Sequence, residues 1–172
     1  MLLEKSTGNS YAGLAGAAAV ATLLLGIGGA GSQVITPPPT GFEYAVKFIC
    51  GLSPPTEGQA LVVARGFYLT AINVHNPGKE PIEFAKKFAI ALPGEKAGRI
   101  SPYAAAVLKP DEALEIDCAD IMRHLDAGGF VKGFAVLQSK VELDVVAVYT
   151  AAGAPTGTVT ALEMERVPAR KY

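Results

Sequence analysis

Hydrophobic and polar residues are arranged along this chain in two distinct ways. Between Ser6 and Phe42 no charged side chain occurs, and the run YAGLAGAAAVATLLLGIGGAG from Tyr11 to Gly31 is apolar or small almost throughout. From Phe42 onward apolar residues alternate with polar ones, and Pro, Gly and Asn break the alternation at intervals. The first pattern predicts one helix, and the second predicts strands joined by turns.

A helix over residues 11–32, rising ~1.5 Å per residue, would be ~33 Å long, which matches a hydrocarbon core ~30 Å thick. Its apolarity is carried by Leu14, Val20, Leu23, Leu24, Leu25 and Ile27, with Ala and Gly filling the rest. Lys5 precedes it, and no Lys or Arg follows until Lys47. The positive-inside rule then places residues 1–10 in the cytoplasm and the chain after the helix outside. The expected location is the bacterial inner membrane, crossed once, with a periplasmic C-terminal domain. The other reading is a signal peptide cut near GGAGS at 28–32. Against it, Glu4 and Lys5 cancel, so the start lacks the usual positive cluster.

Small residues recur every four positions in this helix. Gly13, Ala17 and Ala21 form one line, and Ala12 with Gly16 the next. Such lines let helix backbones approach closely in a membrane, so Gly13, Gly16, Ala17 and Ala21 are the expected packing positions. A composition this rich in Ala and Gly also makes such lines by chance. Residues 33–41 follow as a linker, in which Pro37, Pro38 and Pro39 end the helix and favour an extended spacer.

Residues 42–172 are enough for one domain with its own core. FEYAVKFIC places Phe42, Tyr44, Val46, Phe48 and Cys50 on one face. IEFAKKFAIAL does the same for Ile82, Phe84, Phe88, Ile90 and Leu92, with Lys86 as the exception. ALEIDC aligns Leu114, Ile116 and Cys118, and FVKGFAVLQ, LDVVAVYTAA and TVTALEMERV follow. The long stretch ALVVARGFYLTAINVHN is expected to bend at Gly66. Turns are expected at NPGKEP, LPGEKAG, LKPDE, AGG and AGAPTG. About seven or eight strands predict an antiparallel β-sandwich of immunoglobulin-like type. A short helix is expected at ADIMRHLD, with Asp120 in or beside its capping position.

Both cysteines, Cys50 and Cys118, fall on apolar strand faces. A disulfide between facing sheets would close a loop of about 70 residues, worth ~4 kcal/mol by chain entropy, and needs an oxidising compartment. Two buried thiols are the alternative.

The chemistry-bearing residues are few. His75 in NVHNPGKEP, with Cys118, Met122 and His124 in CADIMRH, resembles a copper set in a β-sandwich, but in the order Cys, Met, His and on a helix. The plainer reading is that His75 and Asn76 shape a turn while His124 lies on a helix surface. Asp111, Glu112, Glu115, Asp117 and Asp120 read as a solvated strand face and lack calcium-loop spacing. Arg166, Arg170 and Lys171 read as a soluble basic tail. A net charge of -1 and pI near 6.1 give no sign of nucleic-acid binding. GxSxG, HExxH, Walker A, CxxC and CxxCH motifs are absent, so neither an enzyme nor a cofactor or metal site is expected.

Taken in order, FICG, TAINVHNP, FAKKFAIALP, LKPDEALEIDC, GFVKGFAVLQS and LDVVAVYTAAG resemble a family of exported bacterial proteins of unknown function, over Phe42 to about Arg170. The resemblance implies an exported β-sandwich and brings no activity, cofactor or catalytic residue. The N-terminal segment departs from the secreted pattern, in which a cleavable signal is expected. That departure points to an exported domain recruited to a membrane assembly. The expected role is a non-catalytic accessory subunit of a photosynthetic or respiratory complex, with other subunits and the lipid bilayer as partners. The second expectation is a secreted or surface binding module, and the third is copper electron transfer.

Overall fold

The computed structural model describes residues 40–53, 63–154 and 156–172. The expected membrane helix 11–32, with Gly13, Gly16, Ala17 and Ala21, lies outside the described residues. Among those described, no helix is long and apolar enough to cross a membrane.

The described chain forms ten strands and one helix: β1 (Phe42–Leu52), β2 (Phe67–His75), β3 (Ile82–Leu92), β4 (Lys96–Ile100), β5 (Ala104–Leu108), β6 (Ala113–Ile116), α1 (Cys118–Leu125), β7 (Val131–Ser139), β8 (Asp144–Ala152), β9 (Val159–Arg166) and β10 (Arg170–Lys171). All pairings are antiparallel. One sheet runs β3-β7-β1, with β4 and β5 both on the outer side of β3 and β10 on β1. The other runs β2-β8-β9, with β6 on the far side of β2. The two join where the end of β1 pairs with β2, Gly51 opposite Tyr68. Gly51 has φ +97, a conformation that disfavours any side chain, and it lets β1 change partners there.

The inner faces meet in one core. Tyr44, Val46, Phe48 and Cys50 of β1 are buried, as the alternation predicts, against Ile72, Val74, Phe88, Leu137 and Val145. At Gly133 of β7 a Cβ would run into the Ala89 carbonyl of β3 and stand 2.9 Å from the Phe48 ring, so the close approach there requires glycine. NPGKEP, LKPDE and AGAPTG fall between strands, LPGEKAG runs from the end of β3 into β4, AGG lies between α1 and β7, and Gly66 stands immediately before β2. The tail is not loose: Val167 is buried, Arg170 and Lys171 form β10, and Arg170 bonds Glu43 at 2.9 Å. The short strands β4, β5 and β10, none of them among the expected runs, account for the larger strand number.

Two polar knots lock the loops. The Tyr44 hydroxyl donates to the Leu143 carbonyl at 2.9 Å and accepts from the Leu143 N–H at 2.6 Å, with the ring wholly buried. Asn76, also buried, donates to the carbonyls of Glu80, Leu108 and Lys109 and accepts from Gly78 N–H. This bears out the turn-shaping role expected of NVHNP. Tyr44→Phe removes one oxygen and strands both the N–H and the carbonyl of Leu143. A loss of about 1–3 kcal/mol is expected, read as a lower urea midpoint with an unchanged slope.

Candidate docking face

The second sheet has an outer face that nothing described covers. Residues directly opposite across antiparallel strands share a face. Leu69, Thr150 and Leu162 therefore make one row, and Ala71, Val148 and Met164 the next. Leu69 is 56%, Leu162 66% and Met164 73% exposed. Phe67 extends the apolar surface at one end.

Helix α1 raises a wall beside it. A groove of about 570 Å³ runs between Leu69, Ala71 and Val148 of the sheet and Ala119 and Met122 of the helix, with Cys118 at its lining. The helix is placed by its own N-terminus: Asp117 accepts from Asp120 N–H at 2.9 Å, and Asp120 accepts from Asp117 N–H at 3.3 Å. Asp117 is thus the cap and Asp120 its reciprocal partner, a correction to the expected capping position. Glu112 likewise accepts from Lys109 N–H at 2.8 Å, closing the turn before β6. Of the acidic run, Glu112, Asp117 and Asp120 therefore serve turns and caps rather than a plain solvated face.

The Cys50–Cys118 disulfide fixes this wall. Its Cα atoms are 5.5 Å apart, and Cys118 Sγ accepts from Thr70 N–H at 3.2 Å. A bonded sulfur offers no thiolate, so the copper set that His75, Cys118, Met122 and His124 resemble loses its strongest ligand. The set is also scattered. His75 lies five residues along β2 from Thr70, about 17 Å in an extended strand. Its Nε2 is 3.1 Å from Asp111 and its Nδ1 3.5 Å from Asp144, which also accepts from Arg166 at 2.7 Å. His124 stacks on Phe88 at 5.3 Å. Among the described residues no three His, Cys, Asp or Glu side chains are grouped to hold a metal.

Near His124 lie Lys86, Asp120 and Arg123. Burial pushes the Lys86 ammonium below its ordinary value, partly offset by Asp120. Lys86 is therefore no exception to the inward face of β3: it reaches the helix. Burial first, then the positive charges of Lys86 and Arg123, hold the His124 imidazole below its ordinary pKa. On β8, beside the edge strand, burial and the carboxylates of Glu165 and Glu163 push the Tyr149 hydroxyl up to about 12.

The sequence pointed to neither Leu162 nor Met164. Their alternation with Glu163 and Glu165 reads as a strand with one face in the core, yet all eight residues of β9 are exposed. Comparisons with protein-family models, with curated proteins and with solved structures returned no match.

Because the folded His124 resists its proton, the unfolded chain binds more protons just below the ordinary histidine pKa of about 6.5. Its contribution is a stability present above that pH and falling as pH drops towards the lowered folded value. His124→Phe should flatten the slope of unfolding free energy in the unit or so of pH below about 6.5, measured by urea titration at several pH values.

Proposed function

We propose that this chain is a non-catalytic, membrane-anchored accessory subunit of a larger bacterial membrane complex, photosynthetic or respiratory. Residues 11–32 dock in the bilayer through Gly13, Gly16, Ala17 and Ala21. The domain after the linker, an immunoglobulin-like sandwich, packs on the periplasmic side. The open face of β2, β8 and β9 carries this reading, because Leu69 on β2 and Leu162 and Met164 on β9 are each more than half exposed on one side of the sheet, with Thr150 and Val148 of β8 between them. Contiguous apolar surface of this kind marks protein contact. The Cys50–Cys118 bond supports placement in an oxidising compartment. The charge-free stretch between Ser6 and Phe42 supports the anchor.

A secreted or surface binding module draws on the same groove and face, and differs only in losing its first residues. Native sizing after mild detergent extraction, with mass spectrometry of the band, separates the two. The expected result is co-migration with a large assembly and a peptide beginning at Met1 or Leu2. A small soluble species beginning near Ser32 would establish the secreted module instead.

A further inference from the structure

We propose that the open edge of β9 receives one extended strand from a partner protein, with side chains alternating between apolar and basic. The proposal rests on the reading of the domain as a docking module and names the form of its partner.

The edge strands β4, β5, β6 and β10 are guarded. β4 has five residues, carries Lys96 and Arg99, and faces a register break in β3. β5 has five residues and sits between Pro102 and Pro110. β6 has four residues and β10 two. Short length, basic residues, proline and irregular pairing are how edges avoid accepting another strand. β9 has eight residues, no Lys and no Pro. Its single register shift lies at its start, opposite Ala151 and Ala152, so Ala161–Arg166 stay regular. Arg166, at its end, is engaged by Asp144. No described strand pairs with the side of β9 away from β8.

The two faces of β9 differ. Leu162 and Met164 continue the apolar rows of β2 and β8, so an added strand would extend those rows with its own apolar residues. Glu163 and Glu165 point to the other face, and neither forms an ion pair among the described residues. Glu165 accepts from the Tyr149 hydroxyl at 3.2 Å, which leaves carboxylate oxygens open for more donors.

Those carboxylates select the occupant. A second copy pairing antiparallel about a two-fold axis must place residues of one face opposite each other. Centred on Glu163, the pairing sets that glutamate against itself. Centred on Met164, it sets Glu163 opposite Glu165. Centred on Leu162, it sets Glu163 opposite Ala161 and Glu165 opposite Val159, so no glutamate gains a basic partner. Like charges directly opposite, as in the first two registers, destabilise a pair, whereas Lys or Arg opposite the glutamates stabilises it. Backbone bonds along the edge would supply affinity, and the alternate side chains would supply selectivity.

The test uses the full-length chain in mild detergent with the capped peptide Thr-Lys-Val-Lys-Val-Lys-Thr and its counterpart with Glu for Lys. Hydrogen exchange of β9 amides is read by mass spectrometry. The lysine peptide should slow that exchange about tenfold and the glutamate peptide should not. E163K/E165K should reverse the preference. Protection by neither peptide, or equal protection by both, would overturn the proposal. Concentration-dependent protection without peptide, abolished by L162K/M164K, would overturn it in favour of a second copy. Co-migration of the wild-type chain with a large assembly is judged separately, so that reading survives a failed strand test and can fail alone.

Discussion

The bond between Cys50 and Cys118 is the constraint on which the working surface depends. It joins β1, just before that strand crosses to the second sheet, to the first residue of α1. Thr70 of β2 completes the junction: its hydroxyl donates to the Ile49 carbonyl, and its N–H donates to the Cys118 sulfur. Three elements are thereby held at one point, and the groove lies against them. Closing a loop of this span is worth ~4 kcal/mol by chain entropy, a large share of a net stability of about 5–15 kcal/mol. Without it, α1 would be held by Ile121 and Leu125 in the core, by His124 on Phe88 and by Arg99, which donates to the Leu125 carbonyl at 2.6 Å.

The opposite end of β1 is tied by different chemistry. Tyr44 holds the loop before β8 through two hydrogen bonds, and Arg170 of the last strand reaches Glu43. Asn76 gathers the loop after β2 and the turn before β6. Strand β1 is thus fixed at both ends, and the scaffold behind the second sheet is rigid. An apolar surface on such a scaffold is pre-organised for contact, so little ordering cost remains on binding.

How much of this was legible depends on the kind of signal. Period-two alternation identified the buried face of β1 residue by residue, because Tyr44, Val46, Phe48 and Cys50 all point inward. Turn chemistry was equally plain, since proline and glycine act locally. The disulfide partners were nameable because only two cysteines exist. Three features were not legible. Arg166 and Arg170 were read as a soluble tail because their partners, Asp144 and Glu43, are far away in sequence. Asp120 was placed in or beside the cap, but Asp117, which is the cap, was read as part of an acidic run. The β9 face was hidden because alternation says that a strand has two faces, not that either has a sheet to cover it.

The proposed role requires an exported domain whose cysteines are joined, with its apolar face turned towards a partner. The most direct measurement is the thiol state of Cys50 and Cys118 in freshly prepared membranes. A mass-tagged alkylating reagent is applied under denaturing conditions, without and then with prior reduction. The account predicts no tagged thiol before reduction and both tagged after it. Free thiols at both positions before reduction would place the domain in a reducing compartment and contradict the exported, docked subunit.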